Sequence, residues 1–317
     1  MSANKGLSSR AIIGSFYRAL AQNAGAGWIG DTSMLFNSDQ ESETYKWLGQ
    51  SPVMREWIGG RNAKGFTENG ITIVNKKYEA TLEVPVDWLR RDKTGQLMVR
   101  INEMARRTNA HYASLLSTLI LNGESTACYD GQYFFDTDHS EGSSGTQSND
   151  LSIDISALAA SVHGATTYPS TEEAVQCIQQ AIAAIVGFKD DQGEPMNEDA
   201  SSFLVMCPTT FAPVMQTAVS VGFLTSGMNN PLAGSGYSVR VAANARLNSS
   251  WTAKFAVFRT DSDVKPFIRQ EEEGVTISAI AEGSELEFND DVHHYGVKAL
   301  RNVGYGYWQD ACLVTMT

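Results

Sequence analysis

Two carboxylates and an imidazole stand close together in Phe134-Phe135-Asp136-Thr137-Asp138-His139, the most site-like run in the chain. Carboxylate oxygens and an imidazole nitrogen can together hold a divalent cation, and a metal-dependent hydrolase is the activity that set would suit. The context argues for a turn instead. Asp136 to Asp150 is Ser, Gly, Thr, Asp and Asn, no second His sits at ligand spacing, and Asp beside such stretches commonly closes turns. His293 and His294 are adjacent, so on a strand they point to opposite faces and cannot share one ion. One buried and one exposed histidine is the expectation. Lys189-Asp190-Asp191-Gln192-Gly193 reads as a charged turn, because a calcium loop needs an acidic ligand at its twelfth position. Gly234-Ser235-Gly236 precedes a strand rather than opening a helix, which is the wrong setting for a phosphate loop. No G-x-S-x-G, H-E-x-x-H or P-loop occurs. The expectation is no catalytic residue, no cofactor and no metal, hence no enzyme.

Charge and cysteine usage narrow the class further. Lys and Arg number 24 against 36 Asp and Glu, a formal net charge of −12. Duplex binding rests on neutralising phosphates with basic side chains, so specific nucleic-acid recognition is disfavoured. Cys128, Cys177, Cys207 and Cys312 are far apart and form no C-x-x-C pair, which fits reduced thiols in a cytoplasm. No run approaches the ~18 apolar residues of a membrane span. MSANKGLSSRAII lacks the long apolar core of a secretory signal, so cytoplasmic synthesis without membrane contact is expected.

The elements that would position these residues follow from periodicity. Arg10 to Gln22 has a helical rhythm through Ile12, Ile13, Phe16, Tyr17 and Leu20, broken by Gly25 and Gly27. Aromatics then scatter through polar surroundings as Trp28, Phe36, Tyr45 and Trp47. Residues 1–50 are therefore expected to bury little against themselves, and a chain lacking residues 1–27 should still fold. Ile71 to Val74 is β-branched, and Tyr78, Ala80, Leu82 and Val84 alternate strictly with Glu79, Thr81 and Glu83 up to Pro85. Residues 97–122 form the strongest helix, with Leu97, Ile101, Met104, Ala105, Thr108, Tyr112, Leu115, Leu116 and Leu119 on one face. At 1.5 Å per residue it would be a rod of ~39 Å, stopped in a left-handed turn at Asn122-Gly123.

Residues 123–168 read as irregular. Ser170 and Glu173 have capping-box spacing at the start of a helix that ends at Gly187. Phe203–Cys207 is a short strand, Thr210–Ser220 a third helix, and residues 222–237 a Gly/Ser/Asn-rich stretch. Strands are expected at Ser238–Ala243, Lys254–Phe258, Val275–Ile280 and His293–Ala299, with a last segment from Tyr305 to Val314. Strands, then helices, then strands give an α+β fold.

The run Tyr295-Gly296-Val297-Lys298-Ala299 and then Asn302-Val303-Gly304-Tyr305-Gly306-Tyr307-Trp308-Gln309-Asp310-Ala311 resembles the closing segment of Mu-like bacteriophage major head subunits. Earlier segments agree in the same order. They are Trp57-Ile58-Gly59 with Tyr78-Glu79-Ala80-Thr81, Asp130-Gly131-Gln132 with Phe135 to His139, Lys189 to Gly193, and loosely Pro266 to Gln270. Leu300 interrupts the place where that pattern has an Arg close after the Ala.

The resemblance implies the tailed-phage major capsid fold, with residues 1–54 an N-terminal arm and 55–85 an extended β loop. Residues 86–165 would be a peripheral domain on the spine helix 97–122, 166–261 an axial domain, and 262–317 return strands of the peripheral domain. It implies a subunit that assembles with itself, as pentamers and hexamers, into an icosahedral head in the host cytoplasm. That head would enclose double-stranded DNA without specific binding, with scaffold, portal and decoration proteins as further partners. Trp28, Phe36 and Trp47 in the arm, and Arg61, Lys64, Lys76 and Lys77 in the loop, are the expected contacts between subunits. An encapsulin-like nanocompartment shell of the same fold is the alternative, with tail tubes and the hydrolase behind it.

Overall fold

A computed structural model describes residues 8–22, 25–46, 70–91 and 95–317. Along these the chain runs α1 (Ser9–Gln22), α2 (Trp28–Thr32), β1 (Ser33–Asn37), β2 (Ser42–Tyr45), β3 (Ile71–Val74) and β4 (Lys76–Pro85). Three helices follow, α3 (Val86–Arg91), α4 (Gln96–Asn109) and α5 (His111–Leu121). Then come β5 (Asp150–Ile153), α6 (Thr171–Gly187), β6 (Ser202–Cys207), α7 (Ala212–Ser220), α8 (Pro231–Gly234), β7 (Ser238–Ala243) and β8 (Lys254–Arg259). The chain closes with β9 (Phe267–Ile280), α9 (Glu285–Asp290), β10 (Val292–Tyr305) and β11 (Ala311–Met316).

The strands build two larger sheets and a small one. The first has the order β1-β9-β10-β4, the second β5-β11-β8-β6-β7, and β2 pairs with β3. In the first, β9 and β10 form a long antiparallel hairpin, interrupted by register shifts around Leu300. The residue that broke the sequence pattern thus sits at an irregularity of the ladder. β4 pairs antiparallel with β10 from Pro85↔Val292 to Lys76↔Arg301. Its apolar side, Leu82 and Val84, packs with Leu97, Ile101, Ala105 and Tyr295.

Ile12 and Phe16 of α1 are fully buried in that same cluster. The expectation that the N-terminal region buries little is corrected here. The spacing of Ile12, Phe16 and Leu20 is that of one helical face, and α4 presents the matching apolar face. Asn109 reinforces the seat by donating from Nδ2 to the Leu20 carbonyl, 2.8 Å away. Trp28 is likewise a core residue, packed with Ile29, Tyr112 and Leu116.

The expected single rod of residues 97–122 is two helices, broken at Ala110. A continuous helix would have the Thr108 carbonyl accept from the amide four residues on. Here the Ala110 N–H bonds the Arg106 carbonyl at 3.0 Å while also facing that of Thr108, and an Arg301 guanidinium N–H meets the Thr108 carbonyl at 3.2 Å. The Thr108 hydroxyl also donates back to the Met104 carbonyl at 2.8 Å, an interaction that bends helices. The left-handed stop at Gly123 is absent. Glycine is required there for space, since a Cβ would lie 2.5 Å from Phe135 Cδ2.

In the second sheet the local signals hold. Ser170 caps α6, with its Oγ accepting from the Glu173 N–H while Glu173 accepts from the Ser170 N–H at 2.7 Å. Ala174, Ile178, Ala181, Ile182 and Ile185 form its buried stripe. β6 and β7 lie where the sequence places them. β9 and β10 are longer than expected, because Glu271, Glu272 and Glu273 hide the first half of β9 among polar residues. The last strand leaves the first sheet. A 3-10 turn at Trp308–Asp310 redirects the chain, and β11 pairs with β5 and β8 of the second. β5 itself falls inside the stretch expected to be irregular.

Two outcomes follow for stability. Leu116→Ala should cost about 2–5 kcal/mol, the range for emptying a filled core site, and Leu115→Ala, only partly buried, should cost less. Thermal melting of the two variants checks the order. Removing residues 1–27 takes Ile12 and Phe16 out of the core they share with α4 and β4, so the yield of soluble folded subunit should drop sharply. Normal yield and melting would show that α1 is dispensable.

Candidate functional site: a buried joint and an exposed rim

Several segments of the sequence resemblance meet at the turn between β10 and β11, while Tyr78 to Thr81 lies on β4 and Trp57 to Gly59 is outside the described residues. Trp308, fully buried in the turn between β10 and β11, stacks on His139 with ring centres 3.9 Å apart and planes 9° from parallel. Phe188 meets the same indole edge-on at 5.1 Å. Gln309 donates from Nε2 to the Tyr129 hydroxyl at 2.8 Å. Asn197 Nδ2 donates to the carbonyls of Gln309 and Ile185, each at 2.8 Å. Asn149 Nδ2 donates to the carbonyls of Phe134, at 2.8 Å, and Trp308, at 3.3 Å. Two glycines let the turn pass. A Cβ on Gly304 would lie 2.4 Å from Ile73 Cδ1, and one on Gly306 would lie 2.3 Å from the Lys265 carbonyl oxygen.

His139 does not gather with Asp136 and Asp138. Its Nδ1 lies 2.7 Å from Asp130 Oδ2 and its Nε2 3.3 Å from Asn149 Oδ1. Asp136 makes the expected turn, accepting from the amides of Thr137 at 2.7 Å and Tyr133 at 3.1 Å. Asp138 is exposed, and its hydrogen bond with Asp136 raises its carboxyl above the usual range.

The residues that could hold a metal are instead Cys128, Asp130 and His139, whose ligand atoms lie within 4.8 Å of one another. Cys128 donates its thiol proton to Asp130 Oδ1 at 2.9 Å, and burial pushes that thiol well up. Burial also acts to raise Asp130, but hydrogen bonds from His139 and Cys128 hold its carboxyl below the ordinary range. Both carboxylate oxygens and the thiol proton are thus engaged within the trio, and its chemistry is that of a fastening. Sequence reading quoted Asp130 in the resemblance but did not pair it or Asn149 with His139, because each is nine or ten residues away with no periodic relation to it.

The other sites fall as follows. His293 is buried with Nε2 3.2 Å from Glu287 Oε1, while His294 is part-exposed beside Glu83 at 3.1 Å, the split expected of adjacent strand residues. Asp190 closes the Lys189–Gly193 turn by accepting from the amides of Gln192 and Glu194. Of the expected contacts between subunits, Trp28 is 9 % exposed and held by its own core. Phe36 is half-buried against Tyr45, ring centres 5.4 Å apart. Lys76 and Lys77 are exposed at the start of edge strand β4. Trp47, Arg61 and Lys64 lie outside the described residues.

Comparison with known proteins decides what this framework is. The model of the family Mu-like prophage major head subunit gpT matches residues 10–158 and 228–316. The chain belongs to the Mu-like prophage major head subunit family. A "Mu-like prophage FluMu major head subunit" of Haemophilus influenzae is 37 % identical over 123 residues, 39 % of this chain and 40 % of the relative. The "Major capsid protein" of Escherichia phage Mu is 36 % identical over 107 residues, 34 % of this chain and 35 % of the relative. These alignments span about two fifths or less of the curated relatives' own length.

Solved structures agree on the fold. The procapsid subunit of bacteriophage JBD30 covers 96 % of this chain and 73 % of its own, with TM-score 0.57 and 24 % identity. A virus-like particle from Pyrococcus furiosus covers 96 % of this chain and 98 % of its own, with TM-score 0.52 and 9 % identity. The fold is that of tailed-phage capsid proteins. The family is one of structural subunits and not of enzymes.

The joint carries a pH signature. Asp310, fully buried beside Trp308, has its carboxyl pushed up to about 7 by burial, with Arg259 pulling the other way. An unfolded Asp titrates near 3.9. Its contribution to stability is therefore intact below about pH 4 and lost as pH rises through about 7. Asp310→Asn escapes that loss. The melting temperature of the variant relative to wild type should climb between about pH 4 and pH 7 and level off above. A constant difference would show that the carboxylate is not held against its preference.

Proposed function

We propose that the chain is the wall-forming subunit of a phage head, a closed shell of its own copies around double-stranded DNA that it does not bind specifically. The family match, running through both sheets and the joint between them, carries this reading. Copies would group as pentamers and hexamers, with scaffold, portal and decoration proteins completing the head. Assembly would take place in a bacterial cytoplasm. Among the described residues no helix is long and apolar enough to cross a membrane.

The parts take their roles in this proposal from position. Residues 1–54 are the arm, although α1 is anchored to its own subunit. Residues 55–85 are the extended loop, of which β3 and β4 form the described root. α4 and α5 are the spine against the first sheet. Residues 166–261 supply the axial part, carrying α6, α7 and β6 to β8 of the second sheet. Closed shells require surfaces that differ from the surfaces they meet, since only such contacts close into rings. An acidic wall suits this role, because it encloses a polyanion without adhering to it.

The loop contacts are part of the proposal. Lys76 and Lys77 with Arg61 and Lys64 give a basic loop on a chain of net charge −12. A neighbour's acidic surface is its natural destination, each exposed pair being worth only ~0–1 kcal/mol. Reversing Lys64, Lys76 and Lys77 together to Glu should leave monomer circular dichroism and melting nearly unchanged. Shell yield should fall, and surviving shells should come apart at lower salt and lower denaturant than wild type. A shifted monomer melt with normal shells would place the loop on its own subunit.

Negative-stain electron microscopy of the purified chain tests the function itself. Closed shells support it. Helical tubes, or protein that stays dispersed, overturn it. Particles from the natural source should hold nuclease-protected DNA. Protein cargo in its place would mark a nanocompartment.

A further inference from the structure

The hairpin that joins β9 to β10 ends in an acidic tip. Residues 282–291 hold Glu282, Glu285, Glu287, Asp290 and Asp291, and no basic residue. Glu282 is engaged by Ser9, and Glu287 by Gly283 and His293. Glu285, Asp290 and Asp291 face solvent. In their midst Phe288 is 89 % exposed, on the short helix α9. A whole aromatic ring in water loses the burial free energy of a large apolar side chain, roughly 1.5–3 kcal/mol for this size class. An intrasubunit role does not account for it.

A surface of opposite character lies on α3 and α4. Among described residues 86–109 there are five arginines, Arg90, Arg91, Arg100, Arg106 and Arg107, against Asp87 and Glu103. Between these helices and β4 runs a groove of about 590 Å³, floored by Leu82, Val84 and Leu97 and walled by Trp88, Arg91 and Arg100. Trp88 is 66 % exposed. Through Leu82 and Arg100 the groove continues into a second hollow of about 380 Å³, which ends at Arg301 and His111. The rim arginines pair along their own helices, Arg90 and Arg91 with Asp87 and Arg100 and Arg107 with Glu103, yet the side chains of Arg91, Arg100 and Arg107 stay 74–80 % exposed.

We propose that the Phe288 tip of one copy seats in the Trp88–Arg100 groove of a second copy. The inference rests on the shell-subunit reading and deepens it. Phe288 would stack on Trp88 and meet the guanidinium faces of Arg91 and Arg100, both favourable partners for an aromatic ring. Glu285, Asp290 and Asp291 would lie against the arginine rim, so charge fixes the register while the ring supplies the buried area. The groove and the tip are different patches on each copy. Within the shell reading the contact runs head-to-tail, each copy giving its tip to one neighbour and receiving a tip from another. Both patches lie at the same end of the first sheet, where Pro85 pairs with Val292, so copies meeting at that end can each give a tip and receive one.

Cysteine trapping tests the contact in the assembled protein. The native cysteines are all buried, so Gln96→Cys on the groove and Asn289→Cys beside Phe288 are the new exposed thiols. Under mild oxidation the double variant should give a ladder of covalent oligomers on a non-reducing gel. Each single variant should stay monomeric, and mixed single variants should give dimers. Phe288→Ser should leave monomer melting unchanged and cut shell yield at least tenfold. Normal shells from the double variant without any ladder, or from Phe288→Ser at full yield, would overturn the contact and leave the shell reading standing. If the unaltered chain forms no particles at all, the shell reading falls and this contact falls with it.

Discussion

Everything in the subunit turns on the plane-to-plane contact of Trp308 with His139. The first sheet ends at Tyr305, and at Ala311 begins β11, which runs between β5 and β8 of the second. The residues between them have no ladder to hold them in register. Their backbone carbonyls at Trp308 and Gln309 are instead met by Asn149 and Asn197, and the indole is clamped between an imidazole and a phenyl ring. Buried polar groups cost more unpaired than they return when paired. Such a joint is therefore stable only when complete, which makes the angle between the two sheets a single well-defined value. The proposed shell wall would need that definition, because an error at each subunit would accumulate around a closed surface.

The same logic applies to the most chemistry-like residues. His139, Asp130 and Cys128 form a compact cluster, yet each is directed inward and bonded to another member. They hold the loop of residues 128–149 against Trp308. Its outer face, with Asp136 and Asp138, is left to make turns. Asp310 shows the cost of the arrangement, a carboxyl kept where water cannot reach it.

What was legible in the sequence is what depends on neighbours along the chain. The capping box of Ser170 and Glu173, the alternation of Tyr78 to Val84, the α6 stripe and the split between His293 and His294 are all local. What was not legible depends on remote partners. Nothing near Ala110 announces a helix break, because the group that takes the Thr108 carbonyl is Arg301, on a strand far along the chain. β1 shows no period-two signal, yet it pairs parallel with β9. Trp28 looked available because its surroundings in sequence are polar, but its surroundings in space are Tyr112 and Leu116. The convergence at Trp308 was present in the sequence as separated segments in a fixed order, and only the fold shows why they belong together.

The described surface divides cleanly between settled and unsettled parts. Sheet interiors have their backbone groups paired in ladders, and the joint has its Trp308 and Gln309 carbonyls met by side chains. The edges do not: β4 carries Lys76 and Lys77 along an unpaired flank, and the β9–β10 tip carries Phe288 among carboxylates. Charge on an edge strand discourages indiscriminate pairing, which would lead to aggregation. It still permits a partner that brings the opposite charge. Under the proposed contacts, an acidic chain with confined basic patches at α3–α4 and at the root of the loop would repel random encounters and accept a few oriented ones. Weak and specific is the right strength for a shell. Each contact can reverse while copies find their places, and the closed surface becomes firm through the number of contacts rather than the depth of any one.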